Sequence, residues 1–539
     1  MCCQNGNRTI SGVSAFGLLL FIWASAYQAF GQTSVTTYHY DNFRTGWNSS
    51  ESVLTPANVS GSSFGMLNTV TVDDQVDAQP LVVPGVTITA GTYKGTTHDV
   101  VYVATENNTV YAIDVHSGVI LLKANFGSPV YYPLQCNNNG PNVGITSTPV
   151  IDPVGKTLYI MAYNQDQTTV NYRLHALNLG SLTDKVTAQV VSASHTLNNG
   201  TTYHFKAAYQ RQRPALLLTD GNVYAAFGSF CDSSADQSRG WVLGWSANNL
   251  TALASNELVD TQATDGQTFF LSAIWMSGYA PTTDDAGNIL FVTANSEPGS
   301  YDGITNIQES VVKVSPALND VIDLFTPKNQ EALDNTDGDF GSGGVMVLPD
   351  QPGSIPHLAV AAGKSGTMFL MNEDNLGGYN TSSNHVLGSY GIAPCWCGPS
   401  YYVDPADGLG RVVSSGGNLV KEWKVVTTPK THLVKVKASG SIGGPNNGFF
   451  TSISSNGTSN PIIWALSRAS STNTTISLIA FNPDAAGSTL KEMIKLSAGT
   501  WPNYTGNSNL VPVVANGQVF VASNKQLQIF GLKSGGAKH

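Results

Sequence analysis

DVVYVATENNTVYAIDVHSGVILLKANFG, residues Asp99 to Gly127, is a repeat unit written out almost without interruption. Val100-Val101-Tyr102-Val103-Ala104 is a β-branched and aromatic run that specifies a strand. Glu106-Asn107-Asn108 makes a tight turn, because asparagine tolerates the positive φ that a short hairpin needs. Val110 to Ile113 gives the second strand, Asp114 to Gly118 another turn, and Val119 to Ala124 a third strand. With one more strand ahead of it at Gln79 to Val83, the unit has four antiparallel strands and no helix. That is the build of a β-propeller blade.

Working outward, the same strand-turn-strand grammar recurs along the chain. Thr157-Leu158-Tyr159-Ile160-Met161, Asn222-Val223-Tyr224-Ala225, Ile289-Leu290-Phe291-Val292, Leu358-Ala359-Val360-Ala361, Gly410-Arg411-Val412-Val413, Ile462-Ile463-Trp464-Ala465 and Gln518-Val519-Phe520-Val521 each mark one further unit. The units lie near residues 79–127, 146–192, 213–258, 278–326, 342–388, 399–437, 449–497 and 510–533. From Gln79 to Val511 they repeat every 62 residues or so, which is long for a blade and implies decorated loops. The pattern predicts an all-β, eight-bladed propeller. Its eighth unit stops after three strands, and a closed ring does not leave such an edge bare. Leu67 to Val72 are therefore predicted to return as the outer strand of the last blade. No Pro- or Ser-rich linker divides the chain, so residues 32–539 read as a single domain.

Charged residues make up only 12% of the 539 residues and glycine reaches 54, which suits short strands and tight turns. The N-terminus carries Arg8, an apolar run from Ala15 to Ala26 and a small-residue boundary at Ala29-Phe30-Gly31. It reads as a secretory signal over residues 1–31, and the protein as secreted or periplasmic. The run is short for a membrane span of ~20 residues, and no other segment is long and apolar enough. With 26 Lys plus Arg against 36 Asp plus Glu, the net charge of −10 argues against nucleic acid as a partner. Beyond the leader four cysteines remain, Cys136, Cys231, Cys395 and Cys397. An exported chain with an even count implies disulfides, and four cysteines allow three pairings. Joining Cys136 to Cys231 is favoured, which leaves a tight Cys395-Trp396-Cys397 loop; a metal site at that Cys-x-Cys is the rival reading. A monomer is expected.

The unit over residues 79 to 120, and its echo Val511-Pro512-Val513-Val514-Ala515-Asn516-Gly517-Gln518-Val519-Phe520-Val521-Ala522, resemble blades of the quinoprotein alcohol dehydrogenase-like superfamily. The resemblance covers nearly the whole chain beyond the leader. It implies an eight-bladed propeller that either holds pyrroloquinoline quinone (PQQ) and calcium on its axis or binds no cofactor. Gly341 to Met346 and Cys395 to Ser400 look like segments of exported bacterial proteins of this repeat type. The active dehydrogenases stack their quinone between a Trp and a ring made by two adjacent oxidised cysteines. This chain has no adjacent pair beyond the leader, and Cys395-Trp396-Cys397 is the nearest approach. The expectation is a propeller without a cofactor, with PQQ and calcium as the alternative.

In a propeller, the segment leading into each innermost strand converges on one mouth of the central channel. Read along the chain, that ring offers Asp77 and Gln79, Thr146 and Ser147, Arg211 and Arg213, Trp275 and Ser277, Asp337, Asp339 and Ser342, Trp396, Phe449 and Phe450, then Trp501, Asn503 and Asn507. Arginines, carboxylates and aromatics in one concave mouth suit a polar ligand with a flat or sugar-like face. Asp334 to Asp339 has the alternating oxygens and the glycine of a calcium loop, making Asp334, Asp337 and Asp339 the candidate metal ligands; an acidic solvated turn is the alternative. Arg211 and Arg213 have the alternative of pairing with acidic loops, and Trp275, Trp396 and Trp501 that of packing between blades. No GxSxG, HExxH or phosphate-binding loop is present.

Three functions follow. The first is an exported scaffold binding a small molecule, glycan or envelope protein through the channel mouth. The second is a PQQ- and calcium-dependent oxidoreductase, with Asp339 as base and Arg213 polarising a quinone carbonyl. The third is a polysaccharide hydrolase or lyase using two of Asp77, Asp337 and Asp339.

Overall fold

The computed structural model describes residues 32–138, 140–232, 237–255, 257–262, 272–503 and 509–533. The leader predicted over residues 1–31, and Asn507, lie outside the described residues. The opening stretch folds as four antiparallel strands, Leu81–Thr87, Thr97–Ala104, Thr109–Asp114 and Ile120–Asn125. Asn108 takes the positive φ that its turn requires, at 53°. Both faces of this sheet are buried. Tyr102, Val110 and Ala112 pack with Leu158 and Ile160 of the next blade, while Val101, Val103, Tyr111 and Ile113 pack with Val513 and Phe520 of the last. That two-sided burial is why the central strands read as continuous apolar runs.

Seven more sheets of three to five strands follow, giving eight blades numbered in chain order, and two two-stranded ribbons lie in the loops between them. Their innermost strands are Val150–Asp152, Leu217–Thr219, Thr282–Thr283, Val345–Val347, Ser400–Val403, Thr451–Asn456 and Val513–Ala515. The ring closes as the chain pattern requires. Phe64–Gln75 pairs antiparallel with Gln518–Leu532 and supplies the outer strand of blade 8, extending further than Leu67 to Val72 on both sides. Among the described residues no helix is long and apolar enough to cross a membrane.

One architectural element has no counterpart in the repeat pattern. Residues 33–48 run as a girdle round the innermost strands and touch every blade. Val35 bridges Val82 of blade 1, and the Thr36 carbonyl accepts from Ile151 N–H of blade 2 (2.8 Å). Asn42 Nδ2 donates to the Leu218 carbonyl of blade 3 (2.9 Å), and its own carbonyl accepts from Thr283 N–H of blade 4 (3.0 Å). The carbonyls of Phe43, Thr45 and Gly46 accept from Val347, Tyr401 and Ile453 N–H of blades 5, 6 and 7. Asn48 Nδ2 donates to the Val514 carbonyl of blade 8 (3.0 Å). Arg44, fully buried, locks the girdle by donating to the carbonyls of Pro281 (2.9 Å), Tyr38 (3.0 Å) and Asp41 (2.9 Å) and to Thr37 Oγ1 (2.8 Å).

The expectation of an acidic loop or solvated turn over residues 334–339 is corrected in part. Gln330–Thr336 is an α-helix, and Asp334 on it is buried. The Gly-rich segment that follows is dictated by crowding: a Cβ on Gly343 would stand 1.9 Å from the Ala362 carbonyl, and one on Gly344 2.0 Å from the Tyr279 ring.

Candidate functional site

A cavity of about 690 Å³ lies among segments that lead into the innermost strands. Of the residues predicted to ring the channel mouth, Arg211, Arg213, Trp275, Asp337, Asp339 and Trp396 line the cavity. Asp77, Gln79, Thr146, Ser147, Ser277, Ser342, Phe449, Phe450, Trp501 and Asn503 do not, and neither does Asp334, the third candidate metal ligand. Gln79 braces the girdle instead, accepting from His39 N–H (3.1 Å) and donating to the Thr37 carbonyl (3.2 Å). Trp501 is fully buried among residues of blades 7 and 8, and Asn503 donates to the Asn137 carbonyl (2.8 Å). Asp334 accepts from Ser296 N–H (3.1 Å) and from the amides of Gln330 and Gln308.

Lys364, Arg468, Ser229, Cys231 and Asp232 also line the cavity and were not among the expected residues. They follow the second strand of blades 5, 7 and 3. Because strands alternate in direction, the loop after strand two opens at the same end as the segment leading into strand one. That rule points to these loops from sequence, and reading only the leading segments passes them over. Two disulfides pin the rim, Cys136–Cys231 and Cys395–Cys397. The second ring holds Trp396 between its cysteines; the cysteines themselves are buried and the indole faces the cavity.

The charged groups sort into two poles. At the first, Arg213 pairs with Asp77 (3.6 Å), and Glu106 stands beside that aspartate. Burial, and then the neighbouring Asp77 carboxylate, push the Glu106 carboxyl well above the usual range. Its Oε2 accepts from Gly144 N–H (2.7 Å) and Thr146 Oγ1 (3.0 Å). Arg468 donates to the Trp396 carbonyl (2.5 Å), the Gly448 carbonyl and Asn509 Oδ1 (2.7 Å), all of them neutral. Arg211 differs from both. It is 7% exposed, and among the described residues its guanidinium has neither an ion pair nor a hydrogen bond, with only the Phe230 ring at 5.9 Å. Burial, and then Arg213, lower it to about 10, and burial lowers Arg468 to about 9.

At the second pole Lys364 Nζ lies between Asp337 (2.6 Å) and Asp339 (3.1 Å) and over the Trp396 ring at 5.7 Å. Asp339 is raised to about 6, chiefly by burial, against the pull of Lys364 and with the push of Asp337 and Asp232. Behind it Glu309 accepts from Phe340 N–H (2.5 Å) and is driven well above the carboxylate range by burial and then by Asp339 and Asp334. Three aspartates thus surround one ammonium, whereas at the arginine pole Asp77 is paired with Arg213 and, among the described residues, Arg211 and Arg468 have no ion pair.

Comparison with known proteins places the fold. No protein-family model matches the chain, and no curated protein matches it. Among solved structures it is similar to the quinohemoprotein alcohol dehydrogenase of Comamonas testosteroni, with a TM-score of 0.61 at 13% identity over 94% of this chain and 82% of that one. It is similar as well to quinohemoprotein alcohol dehydrogenase ADHIIG of Pseudomonas putida HK5, with a TM-score of 0.60 at 11% identity over 93% and 80%. The chain therefore has the eight-bladed propeller fold of the quinoprotein alcohol dehydrogenases.

Proposed function

We propose that this propeller binds a small anionic ligand in its channel mouth. The observation that carries the reading is Arg211. A buried charge without a partner is costly, and chains retain one where a ligand supplies the counter-charge. Arg468, whose bonds among the described residues go only to neutral acceptors, adds a second guanidinium without an ion pair. Planar carboxylate recognition is the chemistry guanidinium suits best. Secretion to the periplasm or cell exterior, and a ligand drawn from small molecules or glycans, belong to the same proposal. Thermal-shift titration with a panel of carboxylates and their neutral counterparts tests it. Anions raise the melting temperature of the native protein and not of Arg211→Gln; a panel in which neutral compounds do as well overturns the reading.

A second reading, a quinone-dependent oxidoreductase, is favoured by the fold shared with the two dehydrogenases. PQQ is a planar tricarboxylate, and Arg211, Arg213 and Arg468 with the Trp396 indole suit its acidic rim and flat face. When bound it would supply a two-electron acceptor. Asp339, holding its proton up to about 6, is the carboxylate placed to exchange one. Calcium does not suit the donors present. Lys364 Nζ already stands between Asp337 and Asp339, and Asp334 is engaged with amides outside the cavity. No step is drawn through that ion.

A further inference from the structure

The two poles name the ligand class more closely, on the footing that the cavity binds an anion at all. Burial and then Arg213 act most strongly on Arg211, with Glu106, Asp77 and Tyr172 behind them, and burial and then Arg213 act on Arg468. Burial acts first on Asp339 too, followed by Lys364, Asp337, Asp232 and the Asn295 N–H. Lys364 is ion-paired with Asp337 and Asp339, and among the described residues neither Arg211 nor Arg468 is ion-paired with any of the three aspartates, so the cavity carries cationic and acidic groups that do not neutralise each other. An anion is drawn to Arg211 and Arg468 and repelled from Asp232, Asp337 and Asp339.

The aspartate pole is short of donors. Ionised carboxylates only accept hydrogen bonds, and each has about four lone-pair sites. Among the described residues Asp337 receives Lys364 alone, Asp339 receives Lys364 and Asn295 N–H (3.2 Å), and Asp232 receives Ser229 Oγ (2.5 Å). The side chain of Asp337 is 65% exposed and open to what enters. Whatever fills this end must bring several O–H or N–H donors, while its other end brings a carboxylate. Trp396 lies at both poles, holding Lys364 over its ring and giving its carbonyl to Arg468, and presents a flat apolar face for a carbon skeleton. We infer that the ligand is a polyhydroxylated carboxylic acid, an aldonic or uronic acid. Its carboxylate lies on Arg211 and Arg468, its hydroxyls on Asp337 and Asp339, and its carbon face on Trp396.

Calorimetric titration of the full chain at pH 7.5 separates the two poles with four probes: galacturonate, galactose, hexanoate and trigalacturonate. Galacturonate binds at least tenfold more tightly than galactose, which lacks the carboxylate, and than hexanoate, which lacks the hydroxyls. Arg211→Gln brings galacturonate down to the galactose level, and Asp337→Asn brings it towards hexanoate. Asp337 is largely exposed, so its replacement leaves the fold intact, which a melting curve checks. Trigalacturonate binding more tightly than galacturonate identifies an acidic polysaccharide as the source; weaker binding identifies the free sugar acid. Hexanoate matching galacturonate overturns this inference and leaves anion binding standing. Failure of every anion overturns the proposed function itself. Binding that requires added Ca²⁺ overturns the inference too, since the aspartates would then hold a cation rather than hydroxyls.

Discussion

Replacing Arg211 by methionine removes the charge and keeps the length of the side chain. Holding a guanidinium whose pKa has fallen to about 10 carries a burden of roughly 3 kcal/mol, at about 1.4 kcal/mol per tenfold change in proton affinity. At neutral pH the group is charged in both folded and unfolded chains, so the whole burden weighs on folding and is relieved only above about pH 10. Unfolding entropy of about 2.1 cal/mol/K per residue gives a chain of 539 residues a slope near 1 kcal/mol per degree. Arg211→Met is therefore expected to melt up to about 3 °C higher than the native protein at pH 7 without ligand, by calorimetry. With a saturating anion the order reverses, because only the native protein gains from binding. A variant melting about 2 °C or more below the native protein in ligand-free buffer would refute the reasoning, since it would mean that Arg211 is already satisfied within the chain.

The same substitution at Arg44 has the opposite sign. Its guanidinium serves four acceptors, and Arg44→Met should cost on the order of 3 kcal/mol or more in a denaturant titration, with Arg44→Lys recovering part of it. Burial raises Asp334 to about 7 and Asp260 and Asp339 to about 6. Folding thus favours their protonated forms, and the stability they confer is full below the ordinary carboxylate range and is lost as pH rises through 6 and 7. Melting temperature should fall from pH 5 to pH 8, and Asp334→Asn should flatten that slope; a stability maximum at pH 8 would sink the argument. Removing Cys136–Cys231, which spans 95 residues, should cost up to about 4.7 kcal/mol by chain entropy, read as a melting temperature lower by a few degrees.

The blades were legible because their signal is local and repeated. Val100 to Ala104 and Val110 to Ile113 carry strand propensity, turn chemistry and two-sided burial in the same few residues. The closing strand followed from a missing edge. The arginines were legible as types at positions, since the segment leading into blade 3 must reach the channel mouth. Arg211 being without a partner while Arg213 has Asp77 depends on which side chains meet across separate blades, and no local pattern encodes that. The girdle was hidden for a similar reason. Residues 33–48 form almost no strand of their own, and their hydrogen bonds go to partners up to hundreds of residues away. Asp334 was misplaced because a single turn-like motif, Asp-Asn-Thr-Asp-Gly-Asp, outweighed the helix-compatible Gln330-Glu331-Ala332-Leu333 ahead of it.

The girdle also sets a clock on biogenesis. Thr33 and Asn516 exchange hydrogen bonds across 483 residues, so among the first described residues to be made are some whose partners are among the last. At about 5–20 residues per second, synthesis leaves that segment waiting roughly half a minute or longer before its final partners exist. Until then the face of blade 1 that carries Val101, Val103, Tyr111 and Ile113 lacks the blade 8 residues that cover it, and the strand edge that blade 8 pairs with stays open. A chain cut short anywhere before blade 8 lacks the last strands on which the N-terminal segment fastens. Such fragments are expected to aggregate rather than persist as smaller propellers, and successful assembly registers, in one closure, that the whole chain has arrived.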